Sequence, residues 1–272
     1  MTKENSEGFS FVTPSMSLPP LILGHRGASA VAPENTLSAF SRAMSDGADG
    51  IEFDVRLASD RIPVVIHDAT LKRTGLIPRA VSELTAKELQ EIDVGGWFAH
   101  RTRSPSSSIA EKLPLLEQVC ELFRHNNGFL YIEMKCHKND GPVLAEAVVR
   151  LARDSGLAER VVVESFELSA IAAVKKIDAE IRTAALFEPK LSRPISSVRR
   201  LRMINTACDV GADEIALHHS LASARVIEKA SQEGLEIVVW TVADPAWIGI
   251  SRSLGIKALI TNDPASLVRH RR

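Results

Sequence analysis

The sequence predicts an α/β protein, a TIM-type (β/α)8 barrel with a short insertion near the mouth of its active site. Short apolar runs rich in β-branched residues alternate with amphipathic segments of helix length along most of the chain. Most of these runs are apolar throughout, which is typical of parallel strands that are buried on both faces. The chain length of 272 residues also fits one such barrel, which needs ~250 residues.

Nine runs have the character of strands, one more than a barrel of eight strands can hold. The runs 50–56 and 63–67 are separated by too few residues for a crossover helix, which takes a dozen or more. We therefore expect either an extended excursion here or one run that lies outside the barrel. The runs cover 21–24, 50–56, 63–67, 129–134, 161–166, 181–187, 213–218, 235–241 and 257–261.

Amphipathic segments of helix length fill most of the gaps between these runs. The first, 35–45, has Leu37, Phe40 and Met44 at helical spacing, which gives it one apolar face. We expect such helices to pack around the outside of the barrel. The others cover 142–154, 167–177, 196–210, 221–233 and 244–254.

The insertion covers about 69–113. It contains a short predicted helix, 85–92, in which Thr85 is the N-cap and Glu88 stands at capping-box spacing. The segments GGWF and RTRSPSSS follow. Long loops beside a barrel mouth usually carry function, so we expect this insertion to border the active site.

Composition and charge exclude several classes of protein. Hydrophobic residues make up 45% of the chain and charged residues 25%, which is typical of a globular protein. The net charge of −1 gives no reason to expect a nucleic-acid partner. No run approaches the ~20 apolar residues of a membrane span, so no stable membrane association is expected. No pattern in the sequence specifies an oligomeric state.

The first 19 residues are predicted to form a flexible arm ahead of a single barrel domain, 20–272. The arm is polar and lacks the apolar core of a signal peptide, which predicts a cytoplasmic protein. The three cysteines are widely spaced and resemble neither a zinc cluster nor a disulfide framework. We therefore expect them to be reduced and packed.

Polar residues stand near the carboxyl ends of several predicted strands. In an α/β barrel, side chains at these strand ends line the active site. We therefore expect polar residues from four separate runs to converge there. They are His25, Arg26, Glu52, Asp54, His67, Asp68, Glu133 and Lys135.

Three carboxylates among them predict a metal site. Glu52 and Asp54 are two residues apart on one strand and therefore share a face, where two buried carboxylates are costly without a cation. Glu133 supplies a third carboxylate from another strand. Such hard oxygen ligands suit Mg²⁺ or Ca²⁺. The alternative is structural, because Arg56 or another cation in the barrel could pair with them.

His25 and His67 are candidates for acid–base catalysis. Histidine titrates near neutrality, so one ring can accept a proton while the other donates one. Alternatively, either ring could simply pack at its strand end, or could bind the metal.

Arg26 and Lys135 are candidates for binding a phosphate. Arginine offers a planar fork to phosphate oxygens, and lysine a compact point charge. The alternative is that Arg26 balances Glu34 and that Lys135 balances Glu133, and both roles can hold together.

The chain resembles the glycerophosphodiester phosphodiesterase family from about residue 21 to 268. The motifs that carry the resemblance are HRGASAVAPENTLSAF, GIEFDVRLASDRIPVVIHDATLKRTG, GGWF, LYIEMK, ESF, WTVADP and ITNDPASL. The resemblance implies a TIM-type barrel, a divalent cation, and hydrolysis of glycerophosphodiesters to glycerol 3-phosphate and an alcohol. It also implies roles for seven residues: a metal site of Glu52, Asp54 and Glu133, acid and base at His25 and His67, and phosphate binding by Arg26 and Lys135.

Four further residues resemble family positions around that centre. Glu34 resembles a glutamate that supports the site, although it could equally be a favourable charge at a helix start. Asp68 is expected to orient His67 or the shell around the metal. Phe166 and Trp240 resemble aromatic residues that line the pocket, and packing in the core is the alternative.

Two other functions stay open from the sequence. A phosphodiesterase of the lysophospholipase D type would use Phe166 and Trp240 against an acyl chain. A barrel that binds a ligand without catalysis is the second alternative. The attacking nucleophile is either water or the glycerol hydroxyl of the substrate itself, through a cyclic phosphate.

Overall fold

The structure, a computed structural model, describes residues 18–102, 110–189 and 197–271. Most of the predicted N-terminal arm and most of the segment RTRSPSSS lie outside these residues. The strands are β1 (Leu21–His25), β2 (Gly50–Leu57), β3 (Pro63–Val65), β4 (Phe129–Met134), β5 (Val161–Ser165), β6 (Arg182–Phe187), β7 (Glu214–His218), β8 (Glu236–Trp240) and β9 (Ala258–Thr261).

Eight of these nine strands are parallel and close into a barrel, which confirms the predicted fold class. Around the ring the order is β1, β2, β4, β5, β6, β7, β8 and β9. The ring closes because β1 pairs in parallel with both β2 and β9. All of the barrel strands therefore end at the same rim.

The ninth strand, β3, lies outside the ring. It pairs antiparallel with the end of β2, through Val55 with Val65 and Leu57 with Pro63. Because the link between β2 and β3 is too short for a crossover helix, the chain can only turn back. Of the two arrangements that the sequence left open, the structure has the run outside the barrel. The strand is also shorter than the predicted run, so that His67 lies in the loop after it.

Six helices expected around the barrel form with ends within three residues of the predicted ones. The predicted capping box also forms, because the hydroxyl of Thr85 accepts from the Glu88 amide while the Glu88 carboxylate accepts from the Thr85 amide. Three helices, α3, α4 and α10, were not predicted. The helices are α1 (Leu37–Ser45), α2 (Ala86–Gln90), α3 (Gly96–Thr102), α4 (Leu116–Arg124), α5 (Gly141–Asp154), α6 (Leu168–Ile177), α7 (Ser197–Asp209), α8 (Ala224–Gln232), α9 (Ala246–Leu254) and α10 (Pro264–Arg271).

The barrel interior changes from charged to apolar to charged along its axis. At the end where the strands begin, Glu214 accepts a hydrogen bond from the Tyr131 hydroxyl at 3.0 Å. The same carboxylate lies 2.6 Å from Lys257 Nζ and 3.1 Å from a guanidinium nitrogen of Arg182. An apolar layer follows, which includes Leu23, Val162, Ala184, Ala216 and Val238. This layer separates the paired charges at the amino-terminal end from the polar groups at the carboxyl end.

The chain between β3 and α4 has a small core of its own. Buried side chains from this segment pack together and against β3, among them Ile66, Leu71, Leu89 and Leu113. The segment therefore forms a packed unit at the side of the barrel, from which residues can reach the site.

The cysteines and the lengths of the helices bear on two predictions from composition. The three cysteines are free, but only Cys120 is fully buried, whereas Cys136 is half-buried and Cys208 is exposed. The expectation that all three pack in the interior was therefore wrong. In the described part of the chain, no helix has the length and apolar character needed to cross a membrane.

Candidate active site

The carboxyl ends of the barrel strands surround a cavity of about 500 Å³. Eight of the eleven residues predicted for the site line it, namely His25, Arg26, Glu52, His67, Glu133, Lys135, Phe166 and Trp240. The other lining residues are Glu164, Leu186, Glu188 and Ile260. The remaining predicted residues, Glu34, Asp54 and Asp68, contact lining residues directly. The structure therefore brings the whole predicted set together.

The register of the strands aligns the acidic residues. His25 pairs with Glu52 across β1 and β2, and Asp54 pairs with Glu133 across β2 and β4. Glu133 is in turn in register with Glu164 on β5. Since residues two apart on a strand share a face, Glu52 and Asp54 both point into the barrel.

Glu52, Asp54 and Glu133 form a cluster of buried carboxylates. Each offers one oxygen, and these oxygens lie within 4.8 Å of one another. Burial, followed by repulsion from Asp54, raises the pKa of Glu52 well above its usual range. The same two causes raise the pKa of Glu133 to about 7. Three hard oxygen ligands at this spacing suit a divalent cation such as Mg²⁺ or Ca²⁺, which would remove the repulsion.

Two cationic side chains already contact the cluster. Lys135 Nζ lies 2.6 Å from Glu133 Oε1 and 3.3 Å from Asp54 Oδ1. Arg26 Nε lies 3.2 Å from Asp54 Oδ2, and another nitrogen of Arg26 lies 2.8 Å from Glu34. Although burial opposes ionisation, Arg26 and then Lys135 hold the pKa of Asp54 below its usual range. The pairings considered as alternatives are therefore present, and both cations also line the cavity.

The third alternative partner, Arg56, makes different contacts. Its guanidinium donates to the backbone carbonyl of His67 at 2.8 Å and to that of Lys135 at 3.3 Å. Arg56 therefore ties the loop after β3 to the end of β4, which sets the backbone of two site residues.

A tight turn after β1 directs Arg26 toward the cluster. Arg26 and Gly27 both have positive φ, 56° and 81°. A Cβ on Gly27 would lie 2.6 Å from the carbonyl carbon of Ala39, so only glycine fits there. The amide of Arg26 donates to the backbone carbonyl of Glu52 at 2.7 Å and to its carboxylate at 3.1 Å. The turn thus fixes one of the predicted metal ligands.

Asn35 holds a second predicted ligand and was not identified from the sequence. Its side-chain amide donates to Asp54 Oδ2 at 2.8 Å, and its side-chain oxygen accepts from the Asp54 amide at 3.3 Å. Asn35 has a φ of 59° and directly precedes Thr36, the N-cap of α1. In the sequence, the only feature that marks Asn35 is its position directly before Thr36, a residue type that commonly caps a helix.

His25 is oriented by a residue from the far end of the chain. Its Nδ1 lies 2.6 Å from the side-chain oxygen of Asn262, which follows β9. An amide oxygen can only accept, so Nδ1 carries the proton and Nε2 is the acceptor nitrogen of the neutral ring. Burial and then the nearby Arg26 lower the pKa of His25 to about 4. Asn262 was not among the residues predicted from the sequence.

His67 belongs to a chain of charged contacts that ends at Arg26. Its Nδ1 lies 2.7 Å from Asp68 Oδ1, and Asp68 in turn accepts from Arg73 Nε at 2.8 Å. Arg73 also donates to both oxygens of Glu34, at 2.7 and 2.8 Å. Glu34 accepts from Arg26 at 2.8 Å. Arg73, which was not predicted, is the link between the two halves of this chain.

The pKa values of these groups follow from the same contacts. Burial lowers the pKa of His67, although Asp54 and Asp68 favour its charged form. Against the opposing effect of burial, hydrogen bonds from Arg73 and His67 lower the pKa of Asp68 to about 2. Arg73 and Arg26 likewise lower the pKa of Glu34. Asp68 and Glu34 are therefore ionised at neutral pH.

Phe166 and Trp240 line the cavity, and Trp240 also packs against the apolar layer inside the barrel. Their ring centroids lie 5.6 Å apart in an edge-to-face arrangement, and Phe166 is 38% exposed. Lys135 Nζ lies 5.6 Å from the centre of the Phe166 ring. The aromatic pair thus borders the cationic and acidic part of the cavity.

Glu164 is a fourth buried carboxyl at this end of the barrel, and it was not predicted. It comes from the end of β5 and is 1% exposed. Burial, with repulsion from Glu52 and Glu133, raises its pKa well above the usual range. The signal was the same one that identified Glu133, an ionisable residue within an apolar strand.

Known proteins resemble this chain along most of its length. The model of the glycerophosphoryl diester phosphodiesterase family matches residues 25–266. A glycerophosphodiester phosphodiesterase from Caldanaerobacter subterraneus subsp. tengcongensis is 30% identical over 250 residues, which are 91% of this chain and 96% of the relative.

Solved structures share the fold. A glycerophosphodiester phosphodiesterase from Agrobacterium tumefaciens is 27% identical, with a TM-score of 0.73, and covers 92% of this chain and 99% of its own. A phosphodiesterase from Oleispira antarctica, solved in complex with the product sn-glycerol-3-phosphate, is 23% identical with a TM-score of 0.78. The match covers 93% of this chain and 96% of the Oleispira chain.

Proposed function

The chain belongs to the glycerophosphoryl diester phosphodiesterase family, and we propose that it hydrolyses glycerophosphodiesters to glycerol 3-phosphate and an alcohol by means of a divalent cation and two histidines. The observation that carries this proposal is a cluster of three buried carboxylates that shares one cavity with two imidazoles. The cluster fits a cation, and the imidazoles fit the two proton transfers that hydrolysis of a diester requires.

Glu52, Asp54 and Glu133 would hold the cation. Four buried carboxyl groups, these three and Glu164, lie at this end of the barrel, and Arg26 and Lys135 contact the cluster. The excess of negative charge favours a divalent cation of the hard type, Mg²⁺ or Ca²⁺. When bound, such a cation supplies positive charge that stabilises the phosphoryl oxygens as charge develops on them.

Arg26 and Lys135 would hold the phosphate. Both are held in place by acidic neighbours and both line the cavity, so their positions are set before the substrate arrives. Preorganised donors of this kind stabilise a developing anion without having to move during the reaction. Lys135 acts as a point charge, and Arg26 offers the planar donors of a guanidinium.

His25 and His67 would move the protons. One imidazole accepts the proton of the attacking hydroxyl as its oxygen forms a bond to phosphorus. The bond from phosphorus to the departing alcohol breaks, and the other imidazole gives that oxygen a proton. Asn262 and Asp68 each fix the Nδ1 side of one ring, which leaves the Nε2 side for these transfers.

The test of this proposal is removal of the metal. We expect protein treated with a chelator to lose its activity on glycerophosphocholine and to recover it when Mg²⁺ or Ca²⁺ is added. Glu52→Gln should lose the calorimetric binding of the cation, whereas Glu228→Gln, on the exposed face of α8, should keep it. Full activity in the chelated protein, or unchanged binding in Glu52→Gln, would contradict the metal site.

The substrate class is tested by comparing three diesters. We expect glycerophosphocholine and glycerophosphoethanolamine to be cleaved faster than lysophosphatidylcholine. A preference for lysophosphatidylcholine would favour the lysophospholipase D alternative, with Phe166 and Trp240 against the acyl chain. Cleavage of none of the three would favour a barrel that only binds its ligand.

A further inference from the structure

Glu164 has an oxygen that lacks a partner although it is buried. Its Oε2 makes no hydrogen bond to any residue in the described part of the chain. Leaving a buried acceptor unpaired is costly, and such an atom in a functional cavity calls for an explanation, of which a bound polar group is one. A carboxyl group keeps an accepting oxygen whether or not it is protonated, and the protonated form can also donate, so a partner that both donates and accepts fits either form.

Trp240, which lines the same cavity, has a buried hydrogen-bond donor that lacks an acceptor among the described residues. This donor is its indole Nε1. Indole N–H groups usually find a partner when they are buried. One donor and one acceptor, both unsatisfied, therefore line one cavity.

Both residues line the same cavity, and a contact between aromatic rings links the strands that carry them. Phe166 lies two residues after Glu164, and its ring contacts the Trp240 ring edge to face at 5.6 Å between centroids. The aromatic pair thus connects the end of β5 with the end of β8.

We propose that Glu164 and the indole N–H of Trp240 form a binding site for the terminal hydroxyl of the glycerol group and so select glycerol esters among phosphodiesters. A hydroxyl is the group that fits, because it donates one hydrogen bond and accepts another. The inference rests on the proposed function, since it identifies the part of the substrate that this side of the cavity holds.

The position of Glu164 supports the terminal hydroxyl in particular. Glu164 is the neighbour of Glu133 on the next strand, but it is not part of the group whose oxygens lie within 4.8 Å of one another. It therefore lies beside the cation cluster and not in it. Under this proposal, a phosphate held at the cluster places the far end of its glycerol group on the side of the cavity that Glu164 lines.

The experiment compares two substrates that differ in one hydroxyl. Glycerophosphocholine is paired with 2-hydroxypropyl phosphocholine, which lacks the terminal hydroxyl but keeps the one beside the phosphate. Both substrates therefore allow attack by water and attack through a cyclic phosphate. We expect the wild-type enzyme to favour glycerophosphocholine in kcat/KM by about 10- to 100-fold, as a site with an unpaired buried group rejects an analogue that lacks its partner.

Three variants test the contributions of Glu164 and Trp240 separately. Glu164→Leu removes the acceptor and should bring the ratio of kcat/KM values to within about threefold of one, because an apolar site gains little from a hydroxyl. Trp240→Phe keeps an aromatic ring but removes the N–H, and should also lower the ratio. Glu164→Gln keeps an accepting oxygen and should retain most of the wild-type ratio. Thermal denaturation reports folding, and Trp240→Phe carries the test if Glu164→Leu does not fold.

A binding measurement gives the same comparison without turnover. Glycerol 3-phosphate should inhibit the wild-type enzyme more strongly than propane-1,2-diol 1-phosphate, and Glu164→Leu should reduce this difference. Equal cleavage of both substrates by the wild-type enzyme, or an unchanged ratio in both Glu164→Leu and Trp240→Phe, would overturn the inference and leave the proposed function intact. A wild-type enzyme that cleaves neither substrate would overturn the proposed function itself.

Discussion

The two histidines of the cavity have different partners, and this makes them chemically unequal. His25 donates to an amide oxygen of Asn262, which carries no charge. His67 lies against the carboxylate of Asp68, which favours the protonated ring. Burial nevertheless lowers the pKa of both rings. Distinct surroundings of this kind suit a pair in which one ring is the base and the other is the acid.

We expect His25→Ala and His67→Ala to lower kcat on glycerophosphocholine by about 10²- to 10⁴-fold each. On a glycerol diester of p-nitrophenol, one of the two variants should recover most of this loss. p-Nitrophenolate leaves without being protonated, so the acid is no longer needed, whereas the base still is. The measurement is kcat on both substrates, and the variant that recovers identifies the acid.

An equal loss in both variants on both substrates would contradict separate acid and base roles. Ser223→Ala is a suitable control, because Ser223 precedes α8 and its substitution should not change the ratio of the two rates.

Single residues were predictable where their signal is local. A carboxylate or imidazole inside or just after an apolar strand stands out in the sequence, and the fold then brings such residues together. Asn262 could not be found this way, because its partner His25 is 237 positions away. Arg73 is similar, since an arginine in a polar loop is ordinary until the fold pairs it. Glu164 carried the right signal and was missed.

At the scale of elements, Arg73 joins the segment between β3 and α4, which also carries His67 and Asp68, to Glu34 and through it to Arg26. The Arg73 guanidinium contacts Asp68 and Glu34, and it lies 5.6 Å from the centre of the Trp97 ring. The segment therefore holds the carboxylate behind His67 and the one behind Arg26 at the same time. Its packed core fixes the loop from which Arg73 extends.

We expect Arg73→Ala to lower kcat by about 10- to 100-fold, because residues that orient catalytic groups have effects of this size. Guanidinium ion at millimolar concentration should restore part of the activity of Arg73→Ala. Replacement of Arg73 by lysine should recover a smaller part of the wild-type activity. The readouts are kcat and the pH profile, in which the limb that reports His67 should shift.

Arg79→Ala is the matched control, because Arg79 lies in the same segment and pairs with the exposed Glu83. It should keep wild-type kcat. Loss of stability in Arg73→Ala without a change in kcat, or the absence of recovery with guanidinium, would mean that Arg73 only stabilises the segment.

Elements were predictable to the extent that periodicity marks them. The barrel helices and most strands follow from apolar spacing. The helix α4 also has this spacing, with Leu116, Val119 and Phe123 buried, but it follows a polar stretch that obscured it. The helix α3 begins at Gly96, and glycine pairs argue against a helix. Whether β3 joined the ring depended on pairing between strands, which local sequence does not encode.

At the scale of the whole molecule, the two ends of the barrel differ in how their buried carboxylates are paired. At the amino-terminal end, Glu214 is neutralised by Lys257 and Arg182. At the carboxyl end, Glu52 and Glu133 have raised pKa values because they are buried and because negative charges are crowded there. The metal-free barrel is therefore destabilised at the end that carries the site.

We expect the metal-free protein to lose stability relative to Glu133→Gln as the pH rises. The pKa of Glu133 is raised from 4.5 to about 7 in the folded state, so the folded protein holds its proton where the unfolded chain has released it. The stability from this group is present below pH ~4.5 and is lost by pH ~7.5. The loss should be about 1–3 kcal/mol in the free energy of unfolding, measured in chelator at pH 5 and pH 8.

Saturating Mg²⁺ or Ca²⁺ should stabilise the wild-type protein at pH 8 and have little effect on Glu133→Gln, because binding to the folded state alone stabilises it. Glu228→Gln should behave as the wild type in both conditions. A wild-type protein that gains stability over Glu133→Gln with rising pH would show that the carboxylates do not repel one another.

Closure of the ring through β1 and β9 has a consequence for biosynthesis. The first strand leaves the ribosome early, but one of its edges stays unpaired until Ala258–Thr261 has been translated. His25 likewise obtains its amide partner only after Asn262 has emerged. A nascent chain therefore contains both histidines and all three clustered carboxylates well before the ring can close around them.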